Sequence, residues 1–387
     1  MKRITANNRI FKTTSRLGPL MALFVAWAGL SLEAATVNHT SGNTTYGRIG
    51  NDSTIIVSGG SPEFEGEIGQ RADIDLLDGD TEFQERIGNQ VDLTISGGTV
   101  KFEKGIGRNG DILISGGEAT FEENIGQNVD IEITGGDVVF EKVIERNATI
   151  DISGGEVTFE ENIRQNSELQ LSGGTIEFEE EIEWNSDIFI DGADVTFDEK
   201  IQQNADINVT SGTVIFGEVE RNADFIITGG EVTLTDDIKE NADFFLTDAI
   251  LNIDEDDVFG NNTDIIATDA TINTNGNEVI VRSLTLSGDS VLDLSDNPDV
   301  EVDLGRITGD GVLTIVGFDE NTEISFNSRG SNVDPSSQIL FGSGVGGIGD
   351  GDRIVPAVPE PSTYFTIGLL SLAVVVFEVR RRKAKKD

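Results

Sequence analysis

Apolar residues recur along the chain at every nineteenth position, with a shorter and then a longer step near the end. A column of isoleucine and valine consists of Ile49, Ile68, Ile87, Ile106, Ile125, Ile144, Ile163, Ile182, Ile201, Val219, Ile238 and Val258. A column of phenylalanine keeps the same phase at Phe64, Phe83, Phe102, Phe121, Phe140, Phe159, Phe178, Phe197 and Phe216. Because chance does not hold two such columns in phase, the pattern indicates a repeat architecture.

Each repeat contains two short segments in which apolar and polar residues alternate, as residues 147–163 illustrate. Ile150 and Ile152 share one face of the first segment, and Val157 and Phe159 share one face of the second. A glycine pair between the segments permits the positive φ that a sharp corner needs. The pattern therefore predicts two strands, each of about four to six residues, and two corners per repeat.

A unit this short cannot enclose a core, so its apolar face needs the next unit as a cover. Parallel stacking supplies that cover and predicts an all-β fold, a parallel β-solenoid (β-helix) of about 12 coils over residues 36–267. The repeats broadly resemble those of autotransporter passenger domains. A further column predicts a ladder of side-chain amides that bond from coil to coil at a corner. Its members are Asn109, Asn128, Asn147, Asn166, Asn185, Asn204, Asn222, Asn241 and Asn261.

The regular register loosens after the repeats. Residues 268–341 retain short apolar segments separated by turn residues, which predicts irregular β coils that cap the solenoid. Residues 342–358 are rich in glycine, and we predict a flexible linker there.

The N-terminal segment, residues 1–35, has the order of parts of a secretory signal peptide. Basic residues such as Arg9 and Lys12 precede an apolar run at 20–32, and the small residues Ala34 and Ala35 follow. We predict a signal peptide over residues 1–35, cleaved after one of these two alanines. An uncleaved signal anchor is the alternative, although the run is short for a membrane span of about 20 residues.

The C-terminal end of the chain combines a proline-rich motif, an apolar stretch at 364–377 and a basic tail that begins at Arg380. The motif consists of Val358, Pro359, Glu360, Pro361 and Ser362. Residues 359–387 resemble the PEP-CTERM sorting signal, a segment also named the ice-binding protein C-terminal domain. The position before each phenylalanine lacks the regular threonine array that an ice-matching face requires, so ice binding is disfavoured.

The resemblance implies recognition by an exosortase-type sorting enzyme, processing near the motif, and delivery to the cell surface or extracellular matrix. It also implies that residues 364–379 cross the inner membrane as a short transmembrane segment before processing. The basic tail then stays in the cytoplasm and the repeats lie outside. An ordinary tail anchor is the alternative.

Composition narrows the classes of function. The chain of 387 residues has no Cys and one His, His39, which removes thiol chemistry, disulfides and histidine metal clusters. The net charge is −43, and residues 36–358 alone carry 66 acidic against 16 basic residues. Such a surface repels nucleic acid and anionic membranes.

Much of the acid lies in columns. One column follows the phenylalanines, and another precedes the first strand of each coil, as at Asp73, Asp92, Asp111 and Asp130. A solvated coat that keeps the solenoid soluble is the favoured interpretation. A Ca²⁺-binding stripe is the alternative, since hard cations prefer several oxygen ligands. We expect Lys104 and Lys142 to neutralise part of the neighbouring acidic column.

We predict no enzyme, no cofactor, and no catalytic or metal-ligating residues, because every acid between Ile49 and Phe216 belongs to the repeat rather than to a local cleft. The predicted function is a structural or adhesive role at the cell surface or in the matrix, where extracellular polysaccharide or envelope components are the expected partners. A calcium- or carbohydrate-binding adhesin is the alternative, and Trp184 is a turn residue able to stack a sugar. An exported polysaccharide-degrading enzyme is the third hypothesis.

Overall fold

The structure is a computed structural model that describes residues 34–260, 262–297, 300–318, 322–327, 338–341, 344–348 and 354–356. The chain divides into two compact units, Met1–Asp243 and Phe244–Asp387. Both are built from short β-strands in the described residues. The predicted all-β parallel solenoid with 19-residue repeats is confirmed.

The strands of unit 1 alternate between two ladders. They are β1 (Thr36–His39), β2 (Asn43–Tyr46), β3 (Thr54–Ser58), β4 (Ser61–Phe64), β5 (Asp73–Asp78), β6 (Asp80–Phe83), β7 (Asp92–Ile95), β8 (Thr99–Phe102), β9 (Asp111–Ile114), β10 (Glu118–Phe121), β11 (Asp130–Ile133), β12 (Asp137–Phe140), β13 (Thr149–Phe159), β14 (Glu168–Phe178), β15 (Asp187–Phe197), β16 (Asp206–Phe216), β17 (Asp224–Ile227) and β18 (Glu231–Leu234). Strand β19 (Asp243–Thr247) begins at the last residue of unit 1. From β13 to β16 the two segments of a coil form one continuous strand of 11 residues.

Each coil of unit 1 pairs with the next in parallel and in register. Ile131 lies opposite Ile150 in the first ladder, and Phe121 lies opposite Phe140 in the second. A third contact is a single bridge between column residues, such as Ile125 to Ile144. This bridge is absent from the sequence prediction of two strands per coil, and it gives each coil three lines of hydrogen bonding.

The column of bridge residues runs from Ile49 to Ile238 in unit 1. In unit 2 the predicted member Val258 is buried, but the bridge lies at its neighbour Phe259. The step from Ile201 to Val219 is one residue short, and the missing residue falls in the turn after Phe216, so the ladders keep their register. Gly217 occupies this shortened turn, where a Cβ would lie 2.7 Å from the carbonyl oxygen of Asp198.

The corner between the two strands of a coil needs glycine for two reasons. Gly155 has a φ of 98°, in the region that L side chains rarely adopt. A Cβ at this position would also lie 2.6 Å from the carbonyl oxygen of Gly136 in the preceding coil. The predicted glycine corner is therefore confirmed.

The core of unit 1 consists of identical side chains stacked from coil to coil. The rings of the phenylalanine column are buried and nearly parallel, with centroids 4.6 to 5.1 Å apart from Phe64 to Phe216. Tyr46 extends the stack at its beginning, 5.0 Å from Phe64. Spacing of this kind follows from the separation of paired strands, about 4.8 Å.

Unit 2 contains less regular coils. Its strands are β20 (Ile250–Ile253), β21 (Asp264–Thr268), β22 (Thr271–Asn273), β23 (Val279–Ile280), β24 (Ser283–Leu286), β25 (Ser290–Asp293), β26 (Glu301–Asp303), β27 (Arg306–Gly309), β28 (Leu313–Val316), β29 (Glu323–Ser325), β30 (Ile339–Phe341), β31 (Gly344–Ile348) and β32 (Ile354–Pro356). Three parallel ladders persist, but the spacing of paired residues varies from 19 for Asp264 and Ser283 to 26 for Leu313 and Ile339. Where the sequence predicted a flexible linker, β31 and β32 form an antiparallel pair.

The predicted signal peptide and sorting signal lie almost entirely outside the described residues. Residues 1–33 of the predicted signal peptide and all of residues 357–387 lie outside the described residues. Within the described parts of the chain, no helix has the length and apolar character needed to cross a membrane.

Candidate functional site

One asparagine per coil holds the corner that follows the bridge residue. Asn109, Asn128 and Asn147 all have a positive φ, which is 57° at Asn147. Asparagine tolerates this left-handed region better than most residues. Asn128 Nδ2 donates to Asn109 Oδ1 at 2.9 Å, and Asn147 Nδ2 donates to Asn128 Oδ1 at 2.8 Å. The same bond continues at 3.2 to 3.4 Å through Asn166, Asn185, Asn204, Asn222 and Asn241. The predicted amide ladder is confirmed over these residues, and Asn261 lies outside the described ones.

A second row runs beside the asparagine ladder, one residue earlier in each coil. Over six coils it contains Asn89, Arg108, Gln127, Arg146, Gln165 and Trp184. Members of this row in successive coils are hydrogen-bonded to each other. The backbone N–H of Arg108 donates to Asn89 Oδ1 at 3.1 Å, and Arg146 Nε donates to Gln127 Oε1 at 3.0 Å. Because each residue of this row directly precedes a ladder asparagine, the asparagine ladder holds the backbone of the row in place.

Most of this row borders an open groove with a volume of about 450 Å³. We define the arginine groove by its four arginines, Arg86, Arg108, Arg146 and Arg164. Three amides, Asn89, Gln127 and Gln165, complete its lining together with Gly126 and Glu145. The groove crosses several coils and lies on the face of the bridge residues.

The arginine groove is positively charged in a strongly acidic protein. Arg164 Nη1 bonds Glu145 Oε2 at 3.1 Å, which neutralises the one carboxylate in the lining. Arg86, Arg108 and Arg146 have no ion pair with any carboxylate of the described residues. The groove therefore presents three uncompensated guanidinium groups to solvent.

The repeat pattern of the sequence did not predict this groove. The available signal was the alternation of arginine and amide residues in the position before the asparagine, from Arg108 to Gln165. Arg86 gives no such signal because it belongs to a different position of the repeat. Only the stacked coils bring it to the same surface.

The predicted acidic columns are present on the outside of the coils. Asp92, Asp111 and Asp130 are Cα partners in successive coils of the first ladder. Partial burial, and then the charges of Asp92 and Asp130, raise the pKa of Asp111. The pKa of Asp187 and that of Asp224 are raised in the same way, by partial burial and then by neighbouring carboxylates.

The expected neutralisation by lysine takes a different form. Lys142 bonds Glu161 at 3.2 Å rather than a member of the column after phenylalanine, and Lys104 has no ion pair among the described residues. Lys101 instead pairs with two members of that column, Glu122 at 2.9 Å and Glu103 at 3.6 Å. The expectation was wrong because it used sequence proximity, whereas Lys101 lies on the exposed face of β8.

Trp184 and His39, two residues singled out in the sequence, lie in different surroundings. Trp184 is 41% exposed, at the end of the row that borders the groove. His39 is buried, and its Nδ1 lies 3.1 Å from the hydroxyl of Tyr46. Across the described segments, no group of three or more His, Cys, Asp or Glu side chains has an arrangement that could hold a metal ion.

The predicted sorting motif, Val358 to Ser362, lies outside the described residues, so its assignment rests on sequence. A protein-family model matches 27 of the 387 residues. Residues 357–383 match the PEP-CTERM protein-sorting motif. Comparison with curated proteins and with solved structures finds no match.

The PEP-CTERM motif has direct consequences for how the chain is handled in the cell. It implies recognition by an exosortase-type sorting enzyme and export to the cell envelope. The resemblance noted at residues 359–387 is therefore confirmed, and the described solenoid is the body that this signal accompanies.

Proposed function

We propose that the protein is a surface or extracellular-matrix protein with a structural or adhesive role and no catalytic activity. The observation that carries the proposal is the PEP-CTERM motif at 357–383 on a chain whose described residues form a repetitive solenoid. Before processing, residues 364–379 anchor the chain in the inner membrane. After processing, the body stays at the cell surface or in the matrix.

The regularity of unit 1 supports a structural or adhesive role. Stacked repeats produce an extended surface on which the same chemistry recurs from coil to coil, and such surfaces suit binding to extended partners. Catalytic sites, by contrast, are local departures from a scaffold that gather unlike groups in a cleft. From Ile49 to Ile201 every coil keeps the same length, and the acidic residues follow the ladders.

The sorting part of the proposal is tested by changing one proline of the motif. In Pro361→Ala the motif is damaged, so we expect the unprocessed chain to accumulate in the membrane fraction with its 380–387 tail intact. Pro356→Ala, just outside the matched segment, is the control and should be processed normally. The measurement is mass spectrometry of the C-terminal peptide in the native host. An intact tail on the natural surface protein would refute sorting by cleavage.

The adhesive part is tested in cells that lack the gene. We expect weaker attachment to surfaces and less retained matrix, both restored by the natural gene. A digestion screen against soluble polysaccharides examines catalysis separately. Release of new reducing ends by the purified protein, lost on heat denaturation, would contradict the non-catalytic role.

A further inference from the structure

The arginine groove offers three kinds of contact in a line. The residues Arg108 and Arg146 stand two coils apart, roughly 9.6 Å, with the amide of Gln127 between them. Gln165 and then Trp184 continue the row, and the indole is 41% exposed. A ligand lying along this row meets positive charge, amide hydrogen-bonding groups and an aromatic surface in sequence.

The uncompensated arginines call for an anionic ligand. Arginine forks match carboxylate geometry and bind it through paired, charge-assisted hydrogen bonds. Acidic side chains outnumber basic ones severalfold over residues 36–358, yet Arg86, Arg108 and Arg146 have no ion pair with a carboxylate among the described residues. Elsewhere in unit 1 carboxylates do form ion pairs with arginine, as Asp52 does with Arg71.

The remaining groups indicate the class of the anion. Amides bind hydroxyl groups, and an exposed aromatic ring stacks on the apolar face of a sugar. A spacing of two coils between arginines suits a chain that carries its charges well apart, about one disaccharide. Nucleic acid is a poor fit, because duplex DNA carries a charge every ~1.7 Å. It also meets the repulsion of the acidic coat.

We propose that the arginine groove binds an acidic polysaccharide, with the sugar chain along the stack of coils and its carboxylates on Arg108 and Arg146. Arg86 extends the positive charge at one end, and Trp184 stacks a sugar at the other. This inference rests on the proposed surface function and names the partner class of that surface. Its test uses purified protein, so its failure leaves the sorting and attachment experiments unaffected.

The probe is a hyaluronan oligosaccharide of defined length, which carries one carboxylate per disaccharide, titrated into the full chain by calorimetry. Its fully methyl-esterified form has the same sugars without the charge and is the ligand control. We expect saturable binding of the acidic form, at least about tenfold weaker binding of the ester, and weaker binding at higher salt. In a Trp27→Phe background, Trp184 is the sole tryptophan, and its fluorescence should change on binding.

Matched variants locate the site. R108Q/R146Q should weaken binding by about tenfold or more, and Trp184→Ala by about fivefold. The control R48Q/R221Q removes two arginines that do not line the groove and should change affinity by less than about twofold. Arg221 occupies the repeat position of Arg108 and Arg146, and Arg48 occupies that of Arg86. Circular dichroism checks that every variant keeps its β structure.

Four results would overturn the proposal. They are no saturable binding of the acidic oligomer, equal binding of its methyl ester, equal losses in R108Q/R146Q and R48Q/R221Q, and equally tight binding of polyglutamate or duplex DNA. The last result would assign the groove to anions in general or to an acidic protein.

Discussion

Asn147 shows why one residue type recurs at this corner. Its backbone is left-handed, with a φ of 57°, and its side chain donates to Asn128 and accepts from Asn166. Glycine meets the first requirement, and glutamine can form an amide ladder, but asparagine meets both. The amide that bonds the coils is therefore also the residue that turns the chain.

The two contributions of Asn147 can be separated by a pair of substitutions. Asn147→Gly keeps the left-handed backbone and loses the amide bonds, so we expect a cost of about 1 kcal/mol in the free energy of unfolding. Asn147→Ala loses the same bonds and also asparagine's tolerance of the left-handed region, so it should be about 1–2 kcal/mol less stable than Asn147→Gly. Urea denaturation followed by circular dichroism measures both. Equal stability of the two variants would show that the backbone conformation carries no cost.

At the scale of the elements, each strand contributes one apolar face to a continuous stack. In β13 the side chain of Phe159 is buried between Phe140 and Phe178, with ring centroids 5.0 and 4.8 Å away. The neighbouring residue Thr158 points to the other face of the strand and is half-buried. The alternation of buried and exposed side chains along β13 therefore determines which substitutions disturb the packing of the core.

Phe159→Ala should cost about 3–5 kcal/mol in the free energy of unfolding, because it removes a ring from a closed stack and leaves a cavity. Phe159→Leu keeps part of the volume and should cost less. Thr158→Ala, on the same strand, is the control and should change stability by about 0.5 kcal/mol or less. Denaturation midpoints give the comparison. Similar losses for Phe159→Ala and Thr158→Ala would contradict the assigned faces.

At the scale of the molecule, charge couples stability to pH. Asp111, Asp187 and Asp224 have a raised pKa in the fold, first through partial burial and then through neighbouring carboxylates. The folded state then holds more protons than the unfolded state between the ordinary pKa of aspartate, about 3.9, and the raised value. The stabilisation from these groups is complete below the ordinary pKa, and it is lost as the pH rises through the raised one.

We therefore expect these aspartates to make the protein more stable near pH 4.5 than at pH 7. The triple variant D111N/D187N/D224N should gain about 0.5 kcal/mol per substitution at pH 7, a small value because solvent screens these largely exposed carboxylates. Its pH dependence should also be weaker, since repulsion between adjacent carboxylates is relieved. Thermal unfolding at both pH values is the measurement. A wild-type pH profile that the triple variant leaves unchanged would contradict this account.

Asp191 is a control of opposite sign. Hydrogen bonds from the hydroxyl groups of Thr210 and Ser211 lower its pKa. Its contribution is present above the ordinary pKa and is lost on acidification. Asp191→Asn should therefore destabilise the protein at pH 7 and have less effect in acid.

The sequence predicted the coil well, because residues one period apart report directly on the contact between coils. The phenylalanine stack, the glycine corner and the asparagine ladder all follow from such columns. The bridge between isoleucines was harder to predict, since a single residue such as Ile125 has no alternating pattern around it. The same limit explains Val258, where two adjacent apolar residues compete for one bridge.

The arginine groove could be predicted only in part. Arg108 and Arg146 share one position of the repeat, but Arg86 and Arg164 join them from other positions of the corner through the stacking of coils. Whether a basic side chain forms an ion pair depends on its rotamer and on its distance from the nearest carboxylate. Lys104 and Lys101 illustrate this, since only the second reaches a carboxylate among the described residues.

The in-register ladders have a genetic consequence. Because the ladder residues of the 19-residue coils in unit 1 contact their equivalents one period away, removal or duplication of one such period rejoins the same contacts and adds no new interface. Unequal crossing-over between equivalent repeat codons therefore yields foldable alleles that differ by whole coils, about 4.8 Å of length each. Alleles of this gene should differ in length by multiples of about 57 nucleotides, and each allele should retain the first and last coils.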